Sequence, residues 1–294
     1  MSAFWKNLKA RYGLCIVLTM ISLAAAARLF FAPEAAAAAV APSLLEPSAA
    51  HWFGTTLQGQ DVLTQTLVGA GPTIFYALII GTGVTLLSVS IGVCAGFFGG
   101  WVDAALSLFI NVFLLIPGLP LMIVLAALLP TGPLSMTVVL IFTGWPWGAR
   151  VLRSQALSLS QRPYIEAARL SGDGPGALIC LHLLPNMASL IGTSFIGATT
   201  YAVGAQVGLE FLGFGDPSYV TWGTNLYWAT NDQALLTGAW WTFVPTGLGI
   251  ALFTFGLVLM TFALDEITNP SLAARRSFRS QVGHSHDLDT VVRR

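Results

Sequence analysis

Charge is what this sequence lacks. Asp, Glu, Lys and Arg make up 9% of it, against roughly a quarter in ordinary globular domains. So few charges cannot cover a water-facing surface, and 55% of the residues are apolar. A soluble domain is excluded; lipid must meet most of the outside. Lysine is rarer still: Lys6 and Lys9 are the two in the chain, and both precede the first apolar run. A phosphate-binding loop of the Walker type needs a lysine behind a glycine-rich turn, so this chain cannot carry that ATP site. Cys15, Cys94 and Cys180 stand singly in or beside apolar segments, which gives no disulfide frame and no metal set. Ionisable residues inside the apolar runs are scarce. An ion-coupled transporter keeps carboxylates or histidines in mid-membrane, and a membrane-embedded enzyme needs a converging cluster of them. Both are disfavoured, as is a channel. The few basic residues fit no nucleic-acid surface.

What is present is a series of long apolar runs. A spanning helix needs about 20 apolar residues, and six runs qualify: 14–31, 73–98, 104–129, 134–153, 184–206 and 240–264. Each is apolar all round, unlike the short alternating strands of a barrel, and helices satisfy their own backbone in lipid. The expected fold is an all-α membrane protein of six transmembrane helices. The first run follows Lys6, Lys9 and Arg11 as a signal peptide would, but its length favours a retained anchor. Lys and Arg collect on the cytoplasmic side. Segments 32–72, 130–133 and 207–239 contain none, so these are the outer segments and both termini are cytoplasmic. Acids do not obey that rule, and Glu34, Glu46, Asp61, Glu210, Asp216 and Asp232 are free to lie outside. Arg28, near the outer end of the first span, is read as snorkelling to the interface. Asp103 is read as an interface charge. Gly81, Gly83 and Gly92 are expected to let helices pack closely, and Pro117, Pro120 and Pro146 to kink them. The domain plan is a tail at 1–13, a first span at 14–31, an outer loop at 32–72, a core at 73–270 and a polar tail at 271–294. In that tail His284–Asp287 reads as disordered chain, with a metal site as the lesser alternative.

The segment between the fourth and fifth spans, QRPYIEAARLSGDGPGALICLHLLPN, is the most informative. Pro163 can open a helix because its missing N–H is an orphan there anyway. The run SGDGPG from Ser171 to Gly176 must break that helix, and a second stretch leads to Pro185. Glu166, Arg162 and Arg169 sit beside small Ala167 and Ala168. The expected element, about 161–178, is a compact helix–turn–helix knob that another surface can approach closely.

That segment resembles the signature of binding-protein-dependent ABC permeases: E-A-A, three residues, G, nine residues, then I-x-L-P. Here it is Glu166-Ala167-Ala168, Gly172 and His182-Leu183-Leu184-Pro185, with His182 in place of Ile and Asn186 completing the H-x-L-P-N form of the peptide and nickel branch. Further stretches are similar to the second, C-type permease of dipeptide and oligopeptide systems. These are His51-x-Phe53-Gly54-Thr55 with Gly59-x-Asp61, Gly96–Gly100 with Asp103, Pro117 with Pro120-Leu121, and Phe211–Gly215 with Trp222-Gly223. Leu264-Asp265 and Asn269-Pro270 resemble that family's ending. Thr56, Gln60 and Gln65 stand where the family usually has Asp, Arg and Arg, so the outer face has lost charge.

The resemblance implies a type I ABC importer permease in a bacterial or archaeal inner membrane. It implies a second homologous permease, two ATPases that bind ATP and Mg, and an extracytoplasmic substrate-binding protein as partners. The chain itself would hold no cofactor, no metal and no catalytic residue. Arg162, Tyr164, Glu166, Ala167, Ala168, Gly172 and Asp173 would dock on an ATPase. Phe211, Phe214, Tyr219 and Trp222 would belong to an outer scoop loop at about 207–239. Peptides are the implied cargo; a neutral aromatic outer mouth would also suit oligosaccharides, and nickel is carried within the same branch.

Overall fold

Apolar runs become helices here, as lipid requires. The computed structural model describes residue 5, residues 7–31 and residues 33–268. Lys6, Asn269, Pro270 and the tail with His284–Asp287 lie outside the described residues. The first long helix, α1 (Leu8–Phe30), starts on Asn7, whose side chain accepts the Lys9 amide at 2.9 Å. After the short α2 (Pro33–Ala37) comes α3 (Val62–Phe98), 37 residues long. It begins well before the expected position 73 because Asp61 caps it. It stops at Gly99, held at a φ of 63°, a left-handed conformation that glycine adopts without strain.

The expected span 104–129 is not one straight helix. It is α4 (Gly100–Leu115) and α5 (Gly118–Leu128), bent by 87°. Pro117 has no N–H to continue the ladder and pushes the residue before it out of helical geometry. Ile116 is accordingly extended, with φ −74° and ψ 127°. Then follow α6 (Pro133–Ser160), α7 (Pro163–Leu170) and α8 (Pro175–Ala177). A π-helical turn at Leu178–Leu183 leads into α9 (Leu184–Phe211). The chain closes with α10 (Trp222–Asn231), α11 (Ala234–Thr237), a 3-10 turn at Trp240–Thr242 and α12 (Val244–Thr268). Among the described residues, four helices are long and apolar enough to cross a membrane, or five if the bent pair is one span. The remaining long helix, α6, is 28 residues and is diluted by Trp145, Pro146, Trp147, Arg150 and Arg153.

The helix α3 is the central post, packed against α1, α6, α9, α10 and α12. Its partners fit because it is smooth. A Cβ on Gly81 would lie 2.3 Å from Thr199 Oγ1, and one on Gly83 would lie 2.5 Å from Ile141 Cδ1. The core between these helices holds Ile74, Ile80, Leu140, Val203, Trp222 and Phe253. Outward-facing Leu29, Leu115 and Leu128 stay exposed, as a lipid-facing surface allows. Both ends of the described chain meet at one end of the bundle: Asn7 Nδ2 donates to Glu266 Oε2 at 3.0 Å, and Lys9 pairs with the same carboxylate. Asp103 is held bidentately by Arg153, at 2.5 and 2.7 Å, which fastens the start of α4 to α6.

Candidate functional site: an exposed elbow and a clasped segment at the opposite end

The elbow is built by proline and glycine. Arg162 stands at the N-cap of α7 and Pro163 at its first position. One residue of that helix, Ile165, is fully buried, and α7 rests against the π turn. Tyr164, Glu166, Ala167, Arg169 and Leu170 are exposed, and Ala168 is half-buried. Glu166 lies in the first turn and Arg169 in the last, each where the helix dipole favours its sign. Gly172, at a φ of 98°, ends the helix: its N–H donates to Arg169 O at 3.1 Å, and the Asp173 N–H donates to Ala168 O at 3.2 Å. Nothing lies within 4 Å of where a Gly172 side chain would start, so its backbone angle, not crowding, asks for glycine.

The turn is then locked. Asp173 Oδ2 is 2.9 Å from His182 Nε2, and Asn186 Nδ2 donates to His182 O at 2.6 Å. In the sequence His182 was a departure from isoleucine that fits the H-x-L-P-N form; its pairing with Asp173, nine residues back, came only with the structure. The result is a rigid knob presenting apolar Tyr164, Leu170 and Leu181 among Arg162, Glu166 and Arg169. Exposed apolar surface ringed by charge is how protein contact sites look.

At the opposite end, residues 40–61 and 211–243 fold onto each other. Asp61 Oδ1 accepts the Thr64 amide at 2.8 Å and the Thr64 hydroxyl at 2.9 Å, and Oδ2 meets His51 Nδ1 at 2.8 Å. Burial opposes ionisation of Asp61, but the Thr64 amide, His51 and the Thr64 hydroxyl outweigh it and hold the carboxyl below its ordinary range. A lowered folded pKa means that the charged form stabilises, fully above the unfolded value and less as pH falls through the folded one. Asp61→Ala is therefore expected to cost about 1–2 kcal/mol, the worth of a helix cap. The gap in melting temperature from the wild type should be wide at neutral pH and narrow below about pH 4; a gap that does not depend on pH would exclude the ionised cap. Thr56, Gln60 and Gln65, which replace a charged set, make a neutral one: Thr56 Oγ1 and Gln65 Nε2 both donate to Gln60 Oε1.

The aromatic residues expected in the outer loop divide by burial. Phe211 and Tyr219 are exposed and Phe214 is half-buried. Trp222 is buried, with its indole N–H donating to Thr66 O and its amide to Thr73 Oγ1, both at 3.0 Å. The charge rule left Glu210 free to lie in an outer segment and said nothing of its burial. It lies in the last turn of α9 and is buried. Gln206 donates to it at 2.9 Å and Thr221 Oγ1 at 2.6 Å, and Gly223 leaves room for it. The helix runs one turn further than its apolar run, which carries the carboxylate inward. Among the described residues, no group of three or more His, Cys, Asp or Glu could hold a metal ion.

The chain is similar to known transport proteins. Residues 88–273 match the family described as binding-protein-dependent transport system inner membrane component. The chain is 29% identical to the dipeptide transport system permease protein DppC of Alkalihalophilus pseudofirmus, over 91% of this chain and 87% of that one. It is 30% identical to the oligopeptide transport system permease protein OppC of Bacillus subtilis, over 92% and 88%. It is also 30% identical to the dipeptide transport system permease protein DppC of the same organism, over 91% and 85%. A match to most of the chain, on a bundle of apolar helices, makes this a multi-pass membrane protein, and it belongs to the family of inner-membrane components of binding-protein-dependent transport systems.

Proposed function

We propose that the chain is one membrane half of an ATP-driven importer for di- and oligopeptides. The observation that carries this reading is the elbow. A signature spacing from Glu166 through Gly172 to Pro185 falls on an exposed, internally locked knob at the end of the bundle. In this reading the bundle crosses the membrane six times: α1, α3, the bent α4–α5 pair, α6, α9 and α12. The meeting of Lys9 with Glu266 supports an even number of crossings. The basic residues of the segments around Lys9 and Arg162 support a cytoplasmic position for that end.

An ATPase subunit receives α7 in a groove. Glu166 and Arg162 make charged hydrogen bonds to it, while Tyr164, Ala167 and Ala168 give a surface that allows close approach. Closing of two ATPases on ATP and Mg pushes the two elbows of a permease pair and tilts the helices. The partners are a second, homologous permease, the ATPases and an extracytoplasmic binding protein that docks on the outer segments. Peptide cargo rests on the relatives, which are named as dipeptide and oligopeptide permeases.

The test uses the complete transporter in vesicles. Glu166→Lys and Gly172→Asp are expected to leave the chain inserted at normal levels while the ATPases no longer co-purify and ATP-driven uptake of trialanine stops. Gly172→Asn, which tolerates positive φ, should keep a large part of the uptake. Normal uptake in both charged variants would remove the elbow from the mechanism.

A further inference from the structure

Between α3, the bend at Ile116–Gly118, α6, α9 and α12 lies a cavity of about 550 Å³, within the size range of solute sites. Among the described residues lining it, none is Asp, Glu, Lys, Arg or His. Its polarity comes mainly from hydroxyls, and the hydrogens of five of them are committed. Thr85 donates to Gly81 O at 2.7 Å, Thr143 to Val139 O at 2.8 Å, Thr193 to Ser189 O at 3.2 Å and Thr261 to Leu257 O at 3.2 Å. Ser88 donates across helices to Trp145 O at 2.8 Å.

Each of these groups has one hydrogen and two lone pairs. A hydroxyl that bonds back to its own helix keeps its lone pairs for the solute. Tyr201 follows the same logic. Its phenol is 3.1 Å from Thr143 Oγ1 and 3.6 Å from Met122 Sδ. The single Tyr201 hydrogen goes to Met122 Sδ or to Thr143 Oγ1, and either way a phenol lone pair is left for the solute. Two donors stand among them, the Ser194 hydroxyl and the Trp147 indole N–H, against the accepting majority.

We infer that this wall is a hydrogen-bond-accepting surface that selects solutes rich in N–H donors, such as peptide amides and protonated amines, over anions and fully N-substituted chains. The inference rests on the peptide-importer reading and deepens it. An accepting wall returns to each solute N–H the bond it loses on leaving water, while a carboxylate finds few donors. The bonds are single and weak enough for a solute to move on.

The test measures uptake of trialanine and of its backbone N-methylated analogue by the complete transporter in vesicles. Wild-type transporter is compared with the single variants Thr193→Val and Thr261→Val and with their double variant. The binding protein acts alike on every form, so its own preference cancels in the ratio of ratios. The expected result is a preference for trialanine that falls about tenfold in the double variant, as the loss of one or two net hydrogen bonds gives. A preference unchanged in all three variants, with uptake retained, overturns the accepting wall alone. Should the double variant fail to insert, the single variants decide the matter by the same ratio. No ATP-driven uptake of either probe by the wild type overturns the importer reading instead.

Discussion

Leucine at position 92 is expected to drive α3 away from α6 and to leave little folded protein. A Cβ on Gly92 would stand 2.5 Å from Ala149 O and 3.1 Å from Arg153 N. One turn on, a Cβ on Gly96 would stand 2.5 Å from Arg153 O and 2.8 Å from Ala156 Cβ. Small residues four apart on one helix let two backbones touch where apolar burial cannot drive association. The obstacle is backbone, which no change of rotamer relieves, so the cost should reach or exceed the ~3 kcal/mol end of overpacking. The same contact holds Arg153 where it grips Asp103, and a displaced α6 would strand both charges. Gly204 is the control: it lies in α9 with nothing within 4 Å of its missing side chain. Gly204→Leu should therefore keep the yield and apparent melting temperature in detergent, while Gly92→Leu should lose most of both. Equal behaviour of the two variants would mean that the α3–α6 contact is dispensable.

Replacing Trp222 with alanine is the second large effect expected. The ring is buried, lies edge-on to Phe253 at 6.3 Å and packs over Gly249. Its two N–H donors fasten α10 to α3 through Thr66 and Thr73. Thr221, next to it, holds Glu210, and Asn225 reaches Gln65 O at 3.1 Å. Trp222→Ala should cost about 3–5 kcal/mol, the usual range for deleting a buried aromatic. Trp222→Phe should cost about 1 kcal/mol, since the ring stays and Thr66 O loses a second hydrogen bond rather than its helical one. Melting in detergent measures both, and protease cleavage between residues 213 and 220 should appear in the alanine variant first. Wild-type resistance to cleavage in Trp222→Ala would show that the other ties hold residues 211–221 in place.

The elbow was legible in the sequence because its parts are local. Pro163 opens α7, Gly172 ends it and Pro185 begins the last stretch, each through its own backbone chemistry and without help from distant residues. The bend at Pro117 was legible as a kink, but not as an 87° turn, since a proline fixes where a helix breaks and neighbouring helices fix the angle. The burial of Glu210 was not legible for a related reason. Hydropathy ends a span where apolar residues stop, whereas the helix continues for as long as its polar groups find partners, here Gln206, Thr221 and the space over Gly223.

Read alone, the residues already say that the chain is helical, apolar outside and poor in charge, and that an elbow interrupts it at Gly172. Those properties follow from composition and from short-range backbone rules. Only the folded arrangement sets which glycines face a neighbouring backbone, that Asp103 belongs to Arg153, that Trp222 is an anchor, and that a set of threonines shares one cavity. Each depends on residues tens or hundreds of positions apart being brought within a few ångströms, and no local pattern encodes that distance.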